Sequence, residues 1–234
     1  MTQPTKYVPT YEINLNSGEF KQTITDIITR FPEITEIVET GTYNGMGSTQ
    51  VFAKTKKDVF TIECNQVNYN MAVSNLREYP NVCVFHGLSL PRNYLVSTLM
   101  MEDFNLDVKY DSTNPKPFYM REIAQPVVQE DCLSLLSNNE RRQLLFLDSA
   151  GGVGFIEFNY IMKNFSPSAI KNKILVLDDC NHIKHKRSIE HLMRIGCEVH
   201  LSSDFRFGWC DLTTMGSVGD SVANITADEW MLRK

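Results

Sequence analysis

A strand, a glycine turn and the start of a helix follow one another directly in the stretch Glu36–Thr49. The stretch opens on Glu-Ile-Val-Glu-Thr, a run rich in β-branched residues, which favours a buried strand. Gly41 and Gly45 come next, and glycine can adopt positive φ and bring its backbone N–H groups close to a bound group. Ser48 and Thr49 are residues that often begin helices. We therefore predict a strand that enters a tight loop beneath a helix, a type of site that holds nucleotide-like ligands.

The same alternation of strands and helices continues along the chain. Strands are predicted at 35–40, 58–63, 82–86, 144–148, 173–179, 197–202 and 207–213. Helices are predicted at 19–31, 46–55, 66–78, 153–165 and 183–195. Strands that alternate with helices pair in parallel, whereas the last two strands have a short connection and form an antiparallel hairpin. The predicted fold class is α/β: a Rossmann-like, mostly parallel seven-stranded sheet with a C-terminal antiparallel hairpin and helices on both faces.

Two segments stand outside this alternation. Residues 1–17 contain prolines and an Asn-Ser-Gly turn, and we expect an extended N-terminal arm. Residues 88–142 contain Pro91, a proline-containing loop at 111–117 and a helical pattern only from about 118 to 136. A departure of this length between two core strands is typical of a lid or a partner surface. We therefore expect a single domain over residues 1–234, with 88–142 as a lid-like insert.

The composition excludes several classes of protein. The chain of 234 residues is 42% hydrophobic and 22% charged, which is ordinary for a folded protein. Its formal charge of −5 argues against a general nucleic-acid binder, because such proteins need a basic face. The six cysteines show no close pairing, which favours free thiols, and no stretch approaches the roughly 20 apolar residues of a membrane span. The expectation is a cytoplasmic protein that contacts neither nucleic acid nor a membrane.

Four predicted strands end in acidic residues. These residues are Glu39, Glu63, Asp148 and the pair Asp178 and Asp179. Because the carboxyl ends of parallel strands meet at one edge of a sheet, these side chains are expected to lie near one another, where such sheets bind ligands. A carboxylate at the end of the second strand, here Glu63, suits the two hydroxyls of a ribose.

The glycine spacing distinguishes between families that bind nucleotides. A dinucleotide site needs Gly-x-Gly-x-x-Gly and a P-loop needs Gly-Lys-Ser/Thr, and residues 41–47 supply neither. The pattern Glu39-x-Gly41-x-x-x-Gly45 instead resembles the first motif of the class I S-adenosylmethionine-dependent methyltransferases. The resemblance covers roughly residues 33–214, including the closing hairpin.

The resemblance implies a cofactor, a site and a reaction. It implies that the glycine loop packs against the methionine part of S-adenosylmethionine, that Glu63 holds the ribose and that Ser89 lies near the adenine. The implied cofactor-binding residues are Glu39, Gly41, Thr42, Tyr43, Gly45, Glu63, Ser89 and Asp148. The implied activity is methyl transfer to an oxygen of a small molecule or sugar.

The aspartates raise the question of a metal. Asp148, Asp178 and Asp179 are similar to the Mg²⁺ ligands of the catechol-type and macrolide-sugar-type O-methyltransferases. Three carboxylates at one edge repel one another unless a cation or protons intervene, and oxygen ligands suit Mg²⁺. The usual Asp-Gly-x-His after the fourth strand is here Asp148-Ser-Ala-Gly151, a departure from the sugar-type pattern. The resemblance thus implies Mg²⁺ at these residues but leaves its use open.

Histidines follow the acidic pair. His182 and His185 have side chains suited to take a proton from a substrate hydroxyl near neutral pH, although a capping role is an equal alternative. His182 and Asp148 are the candidate catalytic residues. The neighbouring basic residues are expected on a solvated face rather than at a phosphate site; they are Lys184, Lys186 and Arg187.

Three other functions stay open at this point. A nicotinamide-dependent oxidoreductase is disfavoured by the glycine spacing. A non-catalytic module would bind the cofactor without turnover and dock a partner protein through the insert. The third is hydroxylation by the same fold with a metal and the cofactor, as in a group resembling cephalosporin hydroxylases.

Overall fold

The computed structural model describes residues 18–101, 116–180 and 184–215. Its helices are α1 (Gly18–Arg30), α2 (Ser48–Ala53), α3 (Gln66–Asn75), α4 (Arg92–Met101), α5 (Lys116–Ala124), α6 (Cys132–Ser137), α7 (Gly152–Asn164), α8 (Pro167–Lys171) and α9 (Lys186–Arg194). Its strands are β1 (Glu36–Thr40), β2 (Asp58–Glu63), β3 (Val82–His86), β4 (Gln143–Leu147), β5 (Lys173–Leu177), β6 (His200–Leu201) and β7 (Gly208–Asp211). A short 3-10 helix, Leu212–Thr214, follows β7.

The strands form one seven-stranded sheet in the order β3-β2-β1-β4-β5-β7-β6. β1 to β5 are parallel, whereas β7 is antiparallel to both β5 and β6. This confirms the predicted mostly parallel sheet with a C-terminal hairpin. The strand order reverses between β1 and β4, where Thr40 pairs with Leu147 at the ends of the two strands. The loops that follow these two strands therefore leave the sheet side by side.

Apolar side chains cover both faces of the central strands. In β4, Phe146 faces one apolar cluster, whereas Leu145 and Leu147 face the other. Phe20 of α1 and Phe52 of α2 each place a ring 5.4 Å from the ring of Phe146. Successive side chains of a strand point to opposite faces, so a continuous apolar run indicates a strand buried on both sides. This burial fixes β1 and β4 in the middle of the molecule, with their C-terminal ends facing the loops.

Two helices were not predicted from the sequence, and each starts at a proline or directly after one. Pro91, interpreted from the sequence as a break, lies at the start of α4, and its carbonyl oxygen accepts the Leu95 N–H at 3.0 Å. Pro167 occupies the first turn of α8, and the Ser166 hydroxyl accepts the Ala169 N–H at 3.1 Å. Proline is favoured at the first helical position because its missing N–H has no helical partner there. Pro167 therefore begins α8, and Pro91 directly precedes α4.

The insert is helical where it is described. α5 and α6 replace the continuous pattern expected from about 118 to 136, because Pro126 lies between them and removes a backbone donor. Arg92 at the start of α4 binds Glu130 at 2.8 Å and the Gln125 carbonyl oxygen at 3.1 Å. These contacts join the start of α4 to the segment between α5 and α6. The proposed arm, 1–17, lies outside the described residues, and the division into one domain with a lid stays a prediction.

All six cysteines are free, as expected. Among the described helices, none is long and apolar enough to cross a membrane.

Candidate functional site

The loops after the first four strands surround a cavity of about 300 Å³. The cavity lies at the C-terminal edge of the sheet, beside the reversal between β1 and β4. It is lined by Gly41, Tyr43, Ile62, Glu63, Cys64, Asn68, Gly87, Leu88, Ser89, Leu95, Phe118, Tyr119, Glu122, Ile123, Asp148, Ser149, Ala150 and Val153. Open parallel sheets bind their ligands at this position. Helix α5 of the insert closes one side of the cavity.

The two glycines of the first loop have different surroundings. Gly41 has φ +82°, and an added Cβ would lie 2.4 Å from the carbonyl oxygen of Asp148. Gly45 has φ +76°, and an added Cβ would lie 2.7 Å from Leu76 at the end of α3. Gly41 lines the cavity and lets the loops after β1 and β4 touch, whereas Gly45 packs the loop onto α3.

Glu63 presents a carboxylate to the cavity at the end of β2. Its Oε2 accepts the Tyr43 N–H at 2.7 Å, and its Oε1 accepts the Asn65 N–H at 2.7 Å. Burial raises the pKa of Glu63 to about 7 against these hydrogen bonds, which favour the charged form. Glu63 therefore ties the glycine loop to β2 and keeps an acceptor group beside the cavity.

Glu39 is buried beneath the glycine loop and does not line the cavity. Its carboxylate accepts the hydroxyls of Ser48, Thr49 at 2.6 Å and Thr61 at 2.7 Å. Thr42 is also buried and lies outside the lining. The contacts of Glu39 thus hold the start of α2 against β1 and β2.

Replacing Glu39 with alanine should lower the free energy of unfolding by about 2–3 kcal/mol, since three buried hydroxyls would lose their acceptor. Glu39→Gln keeps one acceptor oxygen and should cost less. Urea unfolding monitored by circular dichroism measures both changes. Glu78→Ala, at an exposed position after α3, is the matched control and should change stability by less than about 0.5 kcal/mol. An unchanged unfolding midpoint in Glu39→Ala would contradict the anchoring role.

A second buried carboxylate joins the other loops, and the sequence analysis missed it. Glu157 of α7 is fully buried and accepts the hydroxyls of Ser149 at 2.6 Å and Thr40 at 2.9 Å. Ser89, which lines the cavity, also hydrogen-bonds to it. The sequence feature that could have indicated Glu157 is an acidic residue early in an otherwise apolar helix. Glu157 therefore fixes the loops after β1, β3 and β4 relative to one another.

The charged residues of the lining are all acidic. Glu63, Glu122 and Asp148 line the cavity, and no lysine, arginine or histidine occurs in the lining within the described part of the chain. Clefts lined by charges of one sign concentrate ligands of the opposite sign. This cavity is therefore suited to a ligand with positive charge and hydroxyl donors, and poorly suited to a pyrophosphate.

The predicted acidic cluster exists beside this cavity. Asp148, Asp178 and Asp179 each place a carboxylate oxygen within 4.8 Å of the others. The ammonium of Lys184 lies among them, in contact with Asp148, 3.4 Å from Asp179 and 3.8 Å from Asp178. Arg206 adds a second cation, with its Nε 3.3 Å from Asp178.

The prediction that Lys184 lies on a solvated face is wrong. Lys184 is buried, whereas Lys186 is exposed as expected. Burial opposes the charge of Lys184, but the three aspartates outweigh it and raise its pKa above the ordinary value. A buried lysine is stable only when it is paired, and the strand-end carboxylates supply the partners.

The structure tests the sequence prediction for His185 but not for His182. His182 lies outside the described residues, and its assignment as a base stays a prediction. His185 is fully buried, with Nε2 3.0 Å from the Leu147 carbonyl oxygen and Nδ1 3.2 Å from the Ser188 hydroxyl. Both ring nitrogens have partners within the protein, so His185 anchors the start of α9 to the end of β4.

Comparison with solved structures identifies the fold. The chain is similar to a protein provisionally assigned as a caffeoyl-CoA O-methyltransferase from Staphylococcus aureus, with a TM-score of 0.51 and 15% identity over 83% of each chain. The chain therefore shares the mostly parallel, Rossmann-like fold of that protein. Similarity at this level of identity concerns the fold, and it confirms the fold that the alternation of strands and helices and the closing hairpin predicted.

Other solved methyltransferases also resemble the chain. An O-methyltransferase from Bacillus cereus in complex with SAH matches with a TM-score of 0.48 and 13% identity, over 85% of this chain and 82% of that one. An SAH-bound methyltransferase from Podospora anserina matches with a TM-score of 0.48 and 14% identity, over 83% of this chain and 78% of that one. No protein-family model matches the sequence, and no curated protein matches it.

Proposed function

We propose that this protein is an S-adenosylmethionine-dependent methyltransferase that methylates an oxygen of a small molecule or sugar. The observation that carries the proposal is the acidic cavity at the strand reversal of a methyltransferase fold. The cofactor offers a sulfonium cation and a ribose diol. Both groups suit a lining whose charged members are Glu63, Glu122 and Asp148. The similar protein from Staphylococcus aureus is provisionally assigned as an O-methyltransferase, which agrees with oxygen as the acceptor atom.

The cofactor side of the proposed site is formed by the loops after β1, β2 and β3. The backbone at Gly41 and Tyr43 faces the cavity, and Glu63 would accept the two ribose hydroxyls. Ser89 lines the part of the cavity next to β3, where the adenine is proposed to lie. When bound, the cofactor supplies an activated methyl group on its sulfonium sulfur.

The acceptor side is proposed to lie between the loop after β4 and the insert. Asp148 and Ser149 line the cavity opposite Phe118 and Tyr119 of α5. Methyl transfer needs an acceptor oxygen in line with the sulfonium carbon and the loss of one proton. Asp148 is proposed to take that proton, since burial raises its pKa against the opposing charge of Lys184. His182 is the second candidate for this role.

A metal is not part of this proposal. The ammonium of Lys184 already lies among the three aspartates that the sequence assigned to Mg²⁺.

Calorimetric titration of S-adenosylmethionine and S-adenosylhomocysteine into the protein tests the proposal. We expect both to bind with a Kd in about the micromolar range, near −8 kcal/mol of binding free energy. NAD⁺ and NADH, titrated in parallel, should not bind, because their pyrophosphate meets an acidic lining. Nicotinamide binding without S-adenosylhomocysteine binding would favour the oxidoreductase. Cofactor binding with no methylation in an acceptor screen would favour the non-catalytic module.

A further inference from the structure

The acidic cluster has the donor atoms of a divalent metal site. Asp148 follows β4, and Asp178 and Asp179 follow β5, so that the parallel pairing of these strands brings the three carboxylates together. Magnesium and manganese prefer carboxylate oxygens, and carboxylates this close repel one another without a cation. By donor type alone, the cluster fits the metal that the sequence resemblance implies.

The cation among these carboxylates is a side chain of the protein. The Nζ of Lys184 contacts Asp148 and lies within 4 Å of both Asp178 and Asp179. A divalent ion that binds the same three oxygens needs the same space. The ammonium and the ion therefore compete for one position.

The packing of the lysine stem holds the ammonium in place. A Cβ on Gly154 of α7 would lie 3.0 Å from Cγ of Lys184 and 2.8 Å from Nε2 of His185, so the chain passes closely over this glycine. His185 in turn is fixed to the Leu147 carbonyl oxygen at 3.0 Å. The side chain of Lys184 is 3% exposed. Moving the ammonium aside would leave a buried charge without its three carboxylate partners, which is costly.

The charge balance of the cluster also disfavours a divalent ion. Among the described residues, Lys184 and Arg206 face the three aspartates, which leaves one net negative charge when all three carboxylates are ionised. When Asp148 holds a proton, the cluster is neutral. A divalent ion added to either state would give net positive charge beside a cavity proposed to hold a sulfonium. Like charges at short range destabilise each other.

We propose that the ammonium of Lys184 replaces the divalent metal ion at the acidic cluster, so that the protein holds Asp148 in place without a metal. The inference deepens the proposed methyltransferase function and rests on it for its meaning in catalysis. It concerns metal binding, however, and its test does not depend on the cofactor.

Titration of Mn²⁺ into the full chain, followed by the electron paramagnetic resonance signal of the free ion, tests the proposal. The wild-type protein should show no saturable Mn²⁺ binding at low millimolar concentration. Lys184→Met removes the charge but keeps an unbranched side chain of similar length. This variant should bind Mn²⁺ at least about tenfold more tightly than the wild type, because three carboxylates lose their competing cation. Lys186→Met, at the exposed neighbour, should behave as the wild type does.

Each outcome decides the question. Saturable Mn²⁺ binding by the wild type would overturn the proposal, as would a folded Lys184→Met protein that gains no Mn²⁺ affinity. If Lys184→Met does not fold, the wild-type titration and the same titration of Lys184→Gln decide. Titration of S-adenosylhomocysteine into the same samples, with Mg²⁺ and with EDTA, separates the two claims. Loss of cofactor binding in all samples would count against the proposed function, whereas Mn²⁺ binding alone would count against the role of Lys184.

Discussion

Glu63→Ala should weaken the binding of S-adenosylhomocysteine by about 100-fold. A hydrogen bond to a charged acceptor contributes about 1.5–3 kcal/mol, and the loss of two ribose hydroxyl contacts amounts to about 3 kcal/mol. The variant also frees the Tyr43 and Asn65 N–H groups that the carboxylate now accepts at 2.7 Å. Calorimetry on the purified variant measures the change.

Two controls separate this effect from general changes in charge or folding. Glu78→Ala, at an exposed position after α3, should leave the affinity unchanged. Glu122→Gln removes a second negative charge from the lining and should weaken binding only a few-fold, since long-range attraction is worth less than direct contact. Affinity of Glu63→Ala within threefold of wild type would exclude Glu63 as the ribose ligand.

The raised pKa of Glu63 adds a pH dependence with a defined sign. Because its pKa is about 7 rather than the ordinary 4.5, the ligand-free protein holds a proton that the unfolded chain has lost. The stability from this group is full below pH 4.5 and is lost as the pH rises through about 7. Cofactor affinity should change in the opposite direction, weakening below about pH 7, because the ribose hydroxyls donate to the ionised form. Glu63→Gln should remove both dependences, as thermal unfolding and calorimetry between pH 5.5 and 7.5 would show.

Gly41→Ala should lower the free energy of unfolding by about 3 kcal/mol or more and abolish cofactor binding. Two costs add at this position. The residue has φ +82°, which an L side chain rarely adopts, and the new Cβ would lie 2.4 Å from the backbone oxygen of Asp148. The new Cβ would meet backbone atoms of Asp148 and Ser149, so no flexible side chain can move to relieve the contact. The loops after β1 and β4 would have to separate at the cavity.

The chain offers a matched glycine for the backbone cost. Gly196 has the same φ of +82° with nothing within 4 Å of an added Cβ, so Gly196→Ala isolates the backbone strain at about 1–2 kcal/mol. Urea unfolding of the two variants gives the comparison. Equal losses in Gly41→Ala and Gly196→Ala would mean that the contact with Asp148 costs nothing.

Most of the fold was predictable because burial pattern and strand direction are local properties of the sequence. The runs that became β1, β4 and β5 are buried along their whole length, and their short length distinguishes them from helices. The errors occurred where one residue type serves two roles. Pro91 was interpreted as a break in the pattern, although the same lack of an N–H suits the start of a helix, and α4 begins at the next residue.

The candidate site, like the fold, was predictable from the sequence only in part. The sequence by itself determined which carboxylates stand at strand ends, because parallel strands carry Glu63, Asp148 and Asp178 to one edge whatever the packing around them. Only the tertiary structure decided what those carboxylates contact. Glu39 has a place in the sequence motif yet accepts three hydroxyls behind the loop, and Lys184 in a basic run is buried among acids. The free energy of a buried charge depends on partners that are distant in the chain, and those partners are defined only when the sheet has formed.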